Sequence, residues 1–424
     1  MEALSWVERK VIGLSVAETR RLAVVITALL FAAACTSQGV PLEGDAAVWT
    51  TTDGVSWSRV IDPDLGGPGT QQMTGITRWD RGLVAVGSSA LRDRDYDGRI
   101  WLSEDGSDWT VVTDPNLGGP DNQHINTVVA AGPGLIAVGH ADDGGDLDVV
   151  IWTSTDGVEW ERVRSPSLGG RGDQTTWPFG NPVTVTDDLI VVSGMDDDDA
   201  ALWTSADGHT WSRVENAEML GGVGEQMISE LVVAEPGVLG VGWGDLDASV
   251  WASSDGTTWE RAGGPALRGP GGQRMTGVVA TGDGFVAVGD SVSYEEIYFL
   301  GRGSRDTSDA AVWISADGLE WERVDGLDEL GDQHMWNVGV LGTTFVAVGI
   351  DSPDPRTRGL FEAGPSSGRD VDAAVWTSED GRSWTKVRSE VLGGQDWQDI
   401  FDLVEFDGTI VAVGGDDAEG SSGG

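Results

Sequence analysis

Residues Trp152–Val163 read WTSTDGVEWERV. Two tryptophans stand eight residues apart, and Asp156-Gly157 lies between them. Asp-Gly flanked by β-prone runs marks a hairpin, because Gly adopts positive φ freely and Asp tolerates it. The phrase recurs with substitutions. Seven copies start at Trp49, Trp101, Trp152, Trp203, Trp251, Trp313 and Trp376, at spacings of 52, 51, 51, 48, 62 and 63. The turn aspartates are Asp53, Asp105, Asp156, Asp207, Asp255, Asp317 and Asp380. A two-residue turn would pair Trp49 with Ser58 and Thr50 with Trp57. The two tryptophans of each copy would then point to opposite faces and fill different gaps.

Two further elements repeat. One is a short apolar run ending in Gly: Leu83–Gly87, Leu135–Gly139, Leu189–Gly194, Val238–Gly242, Phe285–Gly289, Phe345–Gly349 and Ile410–Gly414. The other is a Gly-rich loop, often Leu-Gly-Gly, leading to Gln71, Gln123, Gln174, Gln226, Gln273, Gln333 and Gln395. A Val/Ile/Thr strand follows, as at Thr127–Ala130. Each unit therefore reads as four short strands, and four-stranded units of about 50 residues are the mark of a β-propeller blade. The chain begins with the last two strands of a unit (Ala46–Val60) and ends with the first two (Trp397–Gly414). Together they complete a seventh blade, close the ring and leave no open sheet edge. The expected fold is all-β: a seven-bladed propeller of four-stranded antiparallel blades over residues 45–414.

The hairpin W-x-[S/T]-x-D-G-x-x-W resembles the Asp-box, or BNR repeat, of sialidase-like propellers, with a turn one residue shorter than the usual S-x-D-x-G-x-x-W. The resemblance covers nearly all of 45–414. It implies that the seven turn aspartates serve the fold, on the face away from any active site. It also raises a sialidase-like glycoside hydrolase as an alternative function, and a membrane-complex assembly factor as another. The Phe/Tyr-Arg-Ile-Pro signature of sialidases is absent, and Tyr occurs only at Tyr96, Tyr294 and Tyr298. A hydrolase should bring two carboxylates, or a Tyr–Glu pair, within about 5–9 Å in a concave mouth.

Composition narrows the function classes. Acidic residues number 70 against 26 basic ones, for a net charge of −44. That charge argues against a nucleic-acid partner, which needs a basic face. One Cys excludes a disulfide scaffold. It stands at Cys35, directly after the apolar run Leu22–Ala34, which Arg20 and Arg21 precede. Thirteen such residues are too short to span a bilayer and suit a signal peptide. Ala32-Ala33-Ala34-Cys35 resembles a bacterial lipoprotein signal, which implies lipidation of Cys35 and anchoring at the outer surface of a membrane. The expected organisation is a leader over 1–34, a linker over 35–44, the propeller, and an acidic Gly/Ser tail over 415–424. No phosphate loop, zinc-type His cluster or Ser/His/Asp constellation stands out.

The loops before each Gln and after each Gly-ended strand should share one mouth of the ring. The second set is acidic, as at Asp142-Asp143 and Asp196–Asp199, and an Asp stands four residues before each first Trp. Clustered carboxylates suit Ca²⁺, but no spacing matches a calcium loop, so capped strands and solvated loops are the preferred reading and no cofactor is expected. The repeated Gln is expected to bracket neighbouring blades by hydrogen bonds. The position after it varies: Gln72, His124, Thr175, Met227, Arg274, His334 and Asp396. Variable residues on a constant scaffold are where specificity is expected, so Gln72, His124, Arg274 and His334 are ligand-binding candidates. Two long insertions, Gly289 to Asp309 and Gly349 to Asp372, add Tyr294, Arg302, Arg356 and Arg358. The expected function is a monomeric, non-catalytic binding or scaffold propeller, with a protein or glycan partner at the cell surface.

Overall fold

The computed structural model describes residues 44 to 416 apart from 91–94, 121, 133, 143–144, 216, 223, 235–236, 270, 296–304, 328–331, 353–370 and 395–396. Cys35, the leader and tail residues 417–424 lie outside them, whereas Gly415 and Asp416, expected in the tail, belong to the strand Thr409–Asp416. The described strands form seven antiparallel sheets in a ring, each four strands deep from the axis outward; the innermost strand of the third is in two pieces, and all but the seventh run in sequence order. Blade 1 comprises Thr70–Trp79, Gly82–Ala90, Tyr96–Ser103 and Thr110–Val111. Blade 7 joins the two ends of the chain in the order Gln398–Phe406, Thr409–Asp416, Asp45–Thr51, Ser58–Arg59. Its ladder runs without interruption from Asp45↔Asp416 to Thr51↔Ile410. The expected closure is therefore present.

The turn differs from a two-residue hairpin. Trp49 lies opposite Arg59, and Thr50 opposite Ser58. The same ten-residue offset recurs at Trp152↔Arg162, Trp203↔Arg213 and Trp376↔Lys386. Gly54 takes φ 77°, as its equivalents do, but the neighbouring Asp residues stay at negative φ. The aspartate instead caps the turn: one Asp53 oxygen accepts the amides of Val55 and Ser56 at 2.8 and 2.6 Å. All seven turns repeat this pattern, as at Asp207 and Asp380. These amides hold the carboxyls of Asp53 and Asp380 down at about 2.

The wider turn overturns the expected placement of the tryptophans. Trp57 folds back and donates Nε1–H to the Gly54 carbonyl at 3.0 Å. Trp49 and Trp57 then enter one apolar cluster together, against Val346, Val348 and Val375 of blade 6. The other pairs do likewise; Trp152 and Trp160 pack on Val84, Val86 and Ile100 of blade 1. Six of the seven first tryptophans, Trp49 to Trp313, also clip the connector leaving the preceding blade. Trp101 donates to Asp64 O, Trp152 to Asn116 O, Trp203 to Ser167 O and Trp313 to Ala266 O, at 2.7–3.1 Å.

The innermost strand of six blades carries a bulge, with register shifts at Met73/Gly75, Ile125/Thr127, Ile228/Glu230, Met275/Gly277, Met335/Asn337 and Ile400/Asp402. A bulge bends its strand and brings its backbone close to the partner. This accounts for the repeated Gly within the second strand of those blades, where the expected strand end is instead mid-strand. A Cβ at Gly87, Gly139, Gly242 or Gly414 would meet a carbonyl oxygen of the innermost strand at 1.8–1.9 Å.

The bulge residues, not the repeated Gln, bracket neighbouring blades. Thr74 donates to Ile125 O, Asn126 to Thr176 O, Ser229 to Met275 O and Thr276 to Met335 O, at 2.6–2.9 Å. The glutamines serve their own blades. Gln226 binds Gly224 O and receives Arg261, which lies over the Trp251 ring at 5.1 Å. Gln273 likewise receives Arg323. In blade 7 the equivalent residue is Gln398 rather than Gln395, because Gln398 faces Gly394 as Gln71 faces Gly67. The variable position there is accordingly Asp399, not Asp396.

Candidate functional site

Antiparallel pairing brings the start of each innermost strand and the end of each second strand to one mouth. The Asp-box turns face the opposite side. The mouth therefore carries a ring of seven variable residues: Gln72, His124, Thr175, Met227, Arg274, His334 and Asp399. Their cross-strand partners are Ser88, His140, Met195, Trp243, Asp290, Ile350 and Gly415. Four of the sequence-predicted candidates, Gln72, His124, Arg274 and His334, thus share one ring. Tyr294 does not join it by a free loop. The blade 5 insertion extends a hairpin of Gly284–Glu295 and Arg305–Ser315, in which Tyr294 pairs with Asp306. Arg302, Arg356 and Arg358 lie outside the described residues.

The ring has two chemically different sides. Across blades 5 and 6, Asp290 is wholly buried and takes a bidentate contact from Arg274, with Nη2 at 2.8 Å. Ser308 donates to the same carboxylate at 3.0 Å, and His334 Nδ1 stands 3.6 Å away. Burial alone would raise the Asp290 carboxyl, but Arg274 and His334 outweigh it and hold the group well below the usual range. Across blades 7, 1 and 2 the groups are neutral or internally paired. Asp399 accepts Trp397 Nε1 at 2.9 Å, the Gly415 amide at 2.8 Å and Gln72 Nε2 at 3.4 Å. His124 stacks on His140 at 5.1 Å, and Tyr96 meets His124 tilted at 4.8 Å. Burial lowers His124 to about 4, and burial followed by the nearby His124 lowers His140 to about 3, so both are neutral at pH 7.

An aromatic plug forms the floor. Blade 3 interrupts its innermost strand between Gln174–Thr175 and Val183–Val185. The intervening Trp177-Pro178-Phe179-Gly180-Asn181-Pro182 crosses the axis. Phe179 stacks on Trp336 of blade 6 and Phe401 of blade 7, both at 4.7 Å. Trp177 meets Trp243 of blade 4 edge-on at 4.7 Å. Sequence reasoning missed this segment. Its signal is present in Pro178 and Pro182, because Pro cannot supply ladder hydrogen bonds where the other blades run a continuous strand.

The aspartates that precede each first Trp hold the connectors: Asp97, Asp148 and Asp372 accept the amides of Gly119, Gly170 and Gly394 at 3.1–3.3 Å. Among the described residues, no group of three or more His, Cys, Asp or Glu is placed to hold a metal ion.

No protein-family model and no curated protein matches the sequence. Similar solved structures include a Trypanosoma rangeli sialidase in complex with sialic acid, at 13% identity over 82% of this chain and 59% of that one, TM-score 0.48. YjhT is 11% identical over 77% of this chain and 99% of its own, TM-score 0.45. A glycosyl hydrolase from Bacteroides ovatus is 14% identical over 63% of this chain and 87% of its own, TM-score 0.34. No function transfers at these identities, and the strand order itself makes this chain a seven-bladed β-propeller.

Proposed function

We propose that the chain is a non-catalytic binding propeller that takes a protein or glycan ligand at the mouth ring, exported and held at the cell surface through Cys35. The observation that carries this reading is the ring itself. One backbone register, repeated seven times, presents Gln, His, Thr, Met, Arg, His and Asp at the same position. A scaffold that is constant while its tips vary supports recognition. The partly exposed Gln72 and His124 offer donors and acceptors beside stacked rings, an arrangement that suits a polar ligand with one flat face.

A glycan array run beside a panel of fluorogenic glycosides tests the proposal. Binding without turnover is expected, and Gln72→Ala and His124→Ala should weaken it about tenfold, the loss of one hydrogen bond each. Turnover of any glycoside would overturn it. Mass spectrometry of membrane-extracted protein should show a diacylglyceryl mass on Cys35, and Cys35→Ser should release the chain from the membrane fraction.

A further inference from the structure

Beneath the plug the ring encloses two carboxyl groups. Glu230 of blade 4 and Asp402 of blade 7 each stand one position past the bulge, 6% and 2% exposed. Asp402 accepts the Ile76 amide of blade 1 at 2.8 Å, the Asn337 side-chain amide of blade 6 at 2.7 Å and its neighbour Leu403 N at 2.8 Å. It therefore bridges the two joints flanking blade 7, where the bulge positions hold Trp336 and Phe401 and offer no hydroxyl. Glu230 accepts the Val278 amide of blade 5 at 3.0 Å. The plug rests on the same strand: Asn181 O accepts the amide of Leu231, the residue after Glu230, at 3.0 Å.

The groups presented to this space by the adjoining strands are Asn337, the Ile76 and Val278 amides, and the Thr127–Asn181 pair; none of these ionises. The charged groups of the same strands act elsewhere. Arg274 and His334 are committed to Asp290 at the mouth, Asp399 to Trp397 and Gly415, His124 to the Ser88 side, and Arg78 pairs with Glu405. Among the described residues no cation compensates either carboxyl. Three N–H donors around Asp402 favour its ionised form, which leaves Glu230 as the proton carrier.

We propose that the buried Glu230 carries a proton, and that this proton keeps the aromatic plug and the closing blade in place. Without it, two buried carboxylates stand among uncharged groups with no cation to offset them, and the plug and the blade 7 joints loosen together. Burial and then Asp402 push Glu230 well above the usual range, and burial pushes Asp402 up to about 7. Raised folded-state values mean stability that is complete at acidic pH and lost as pH rises, through about 7 for Asp402 and above the usual carboxylate range for Glu230.

The test compares the full chain with Glu230→Gln, whose amide keeps the Val278 contact and cannot ionise. From about pH 6 to about pH 9 the wild-type melting midpoint should fall at least about 2 °C further than that of the variant. Parallel curves would overturn the proposal. Infrared difference spectra of the wild type give a second readout that does not depend on the variant folding. A protonated-carboxyl band at about pH 6 should weaken as pH is raised to about 9, together with a change in the near-ultraviolet dichroism of the plug aromatics. No such band, or a band weakened without any aromatic change, would overturn it.

Discussion

Trp203 shows how one side chain serves three ends. It is wholly buried, fills the gap between blades 2 and 3 beside Trp211, and donates to Ser167 O at 2.7 Å. Trp203→Ala should cost about 3–5 kcal/mol by lost burial and a residual cavity. Trp203→Phe keeps most of the apolar contact but leaves the carbonyl unmet, and should cost about 1–2 kcal/mol. Urea denaturation of both variants checks the ordering; an unchanged midpoint for the alanine variant would refute the packing role. The tryptophan pair itself was legible in the sequence. Its placement in one gap was not, because the gap depends on the Asp53-type cap. That cap widens the turn by satisfying two amides, a contact that spacing alone does not reveal.

At the scale of the strand, bulge and glycine form one device. Gly242 lies where a Cβ would stand 1.9 Å from Met227 O, so Gly242→Ala must displace the bulge of blade 4. We expect a loss of about 3 kcal/mol, at the upper end of overpacking costs, measured by denaturant unfolding. The recurrent Gly could be read in the sequence as a strand end, but its cause lies in a neighbouring strand. Glu230 and Asp402 were equally hidden, since nothing local separates them from the other 68 acidic residues. Their role follows from a register set by the bulge. The plug offers a separate test: Phe179→Ala removes stacking on both Trp336 and Phe401 and should cost about 2–4 kcal/mol. It should also change the near-ultraviolet spectrum, while strand content by far-ultraviolet dichroism stays constant.

For the whole molecule, two sets of carboxylates act in opposite directions. The turn aspartates, held low by backbone amides, contribute stability that is lost as pH falls from about 4 toward about 2. Glu230 and Asp402, held high by burial, contribute stability that is lost as pH rises, for Asp402 through about 7. Calorimetric melting should therefore peak at weakly acidic pH and decline on both sides. A maximum above pH 8 would contradict this balance. The seven-fold architecture and its closure were legible because every unit repeats the same local signals. The ligand-facing ring was legible only as a list of positions, and pairing brought them together.

Closure also imposes an order of events. Asp45 finds its partner in Asp416, so the first propeller strand to be synthesised must wait for the last. During that interval Asp45–Thr51, mostly buried in the finished ring, exposes an unpaired edge. Joining chain ends this distant carries a large loop-closure cost before any contact rewards it, so completion of blade 7 should be the slow phase of refolding. A holding chaperone that recognises short apolar strands would have its longest window of action on this segment.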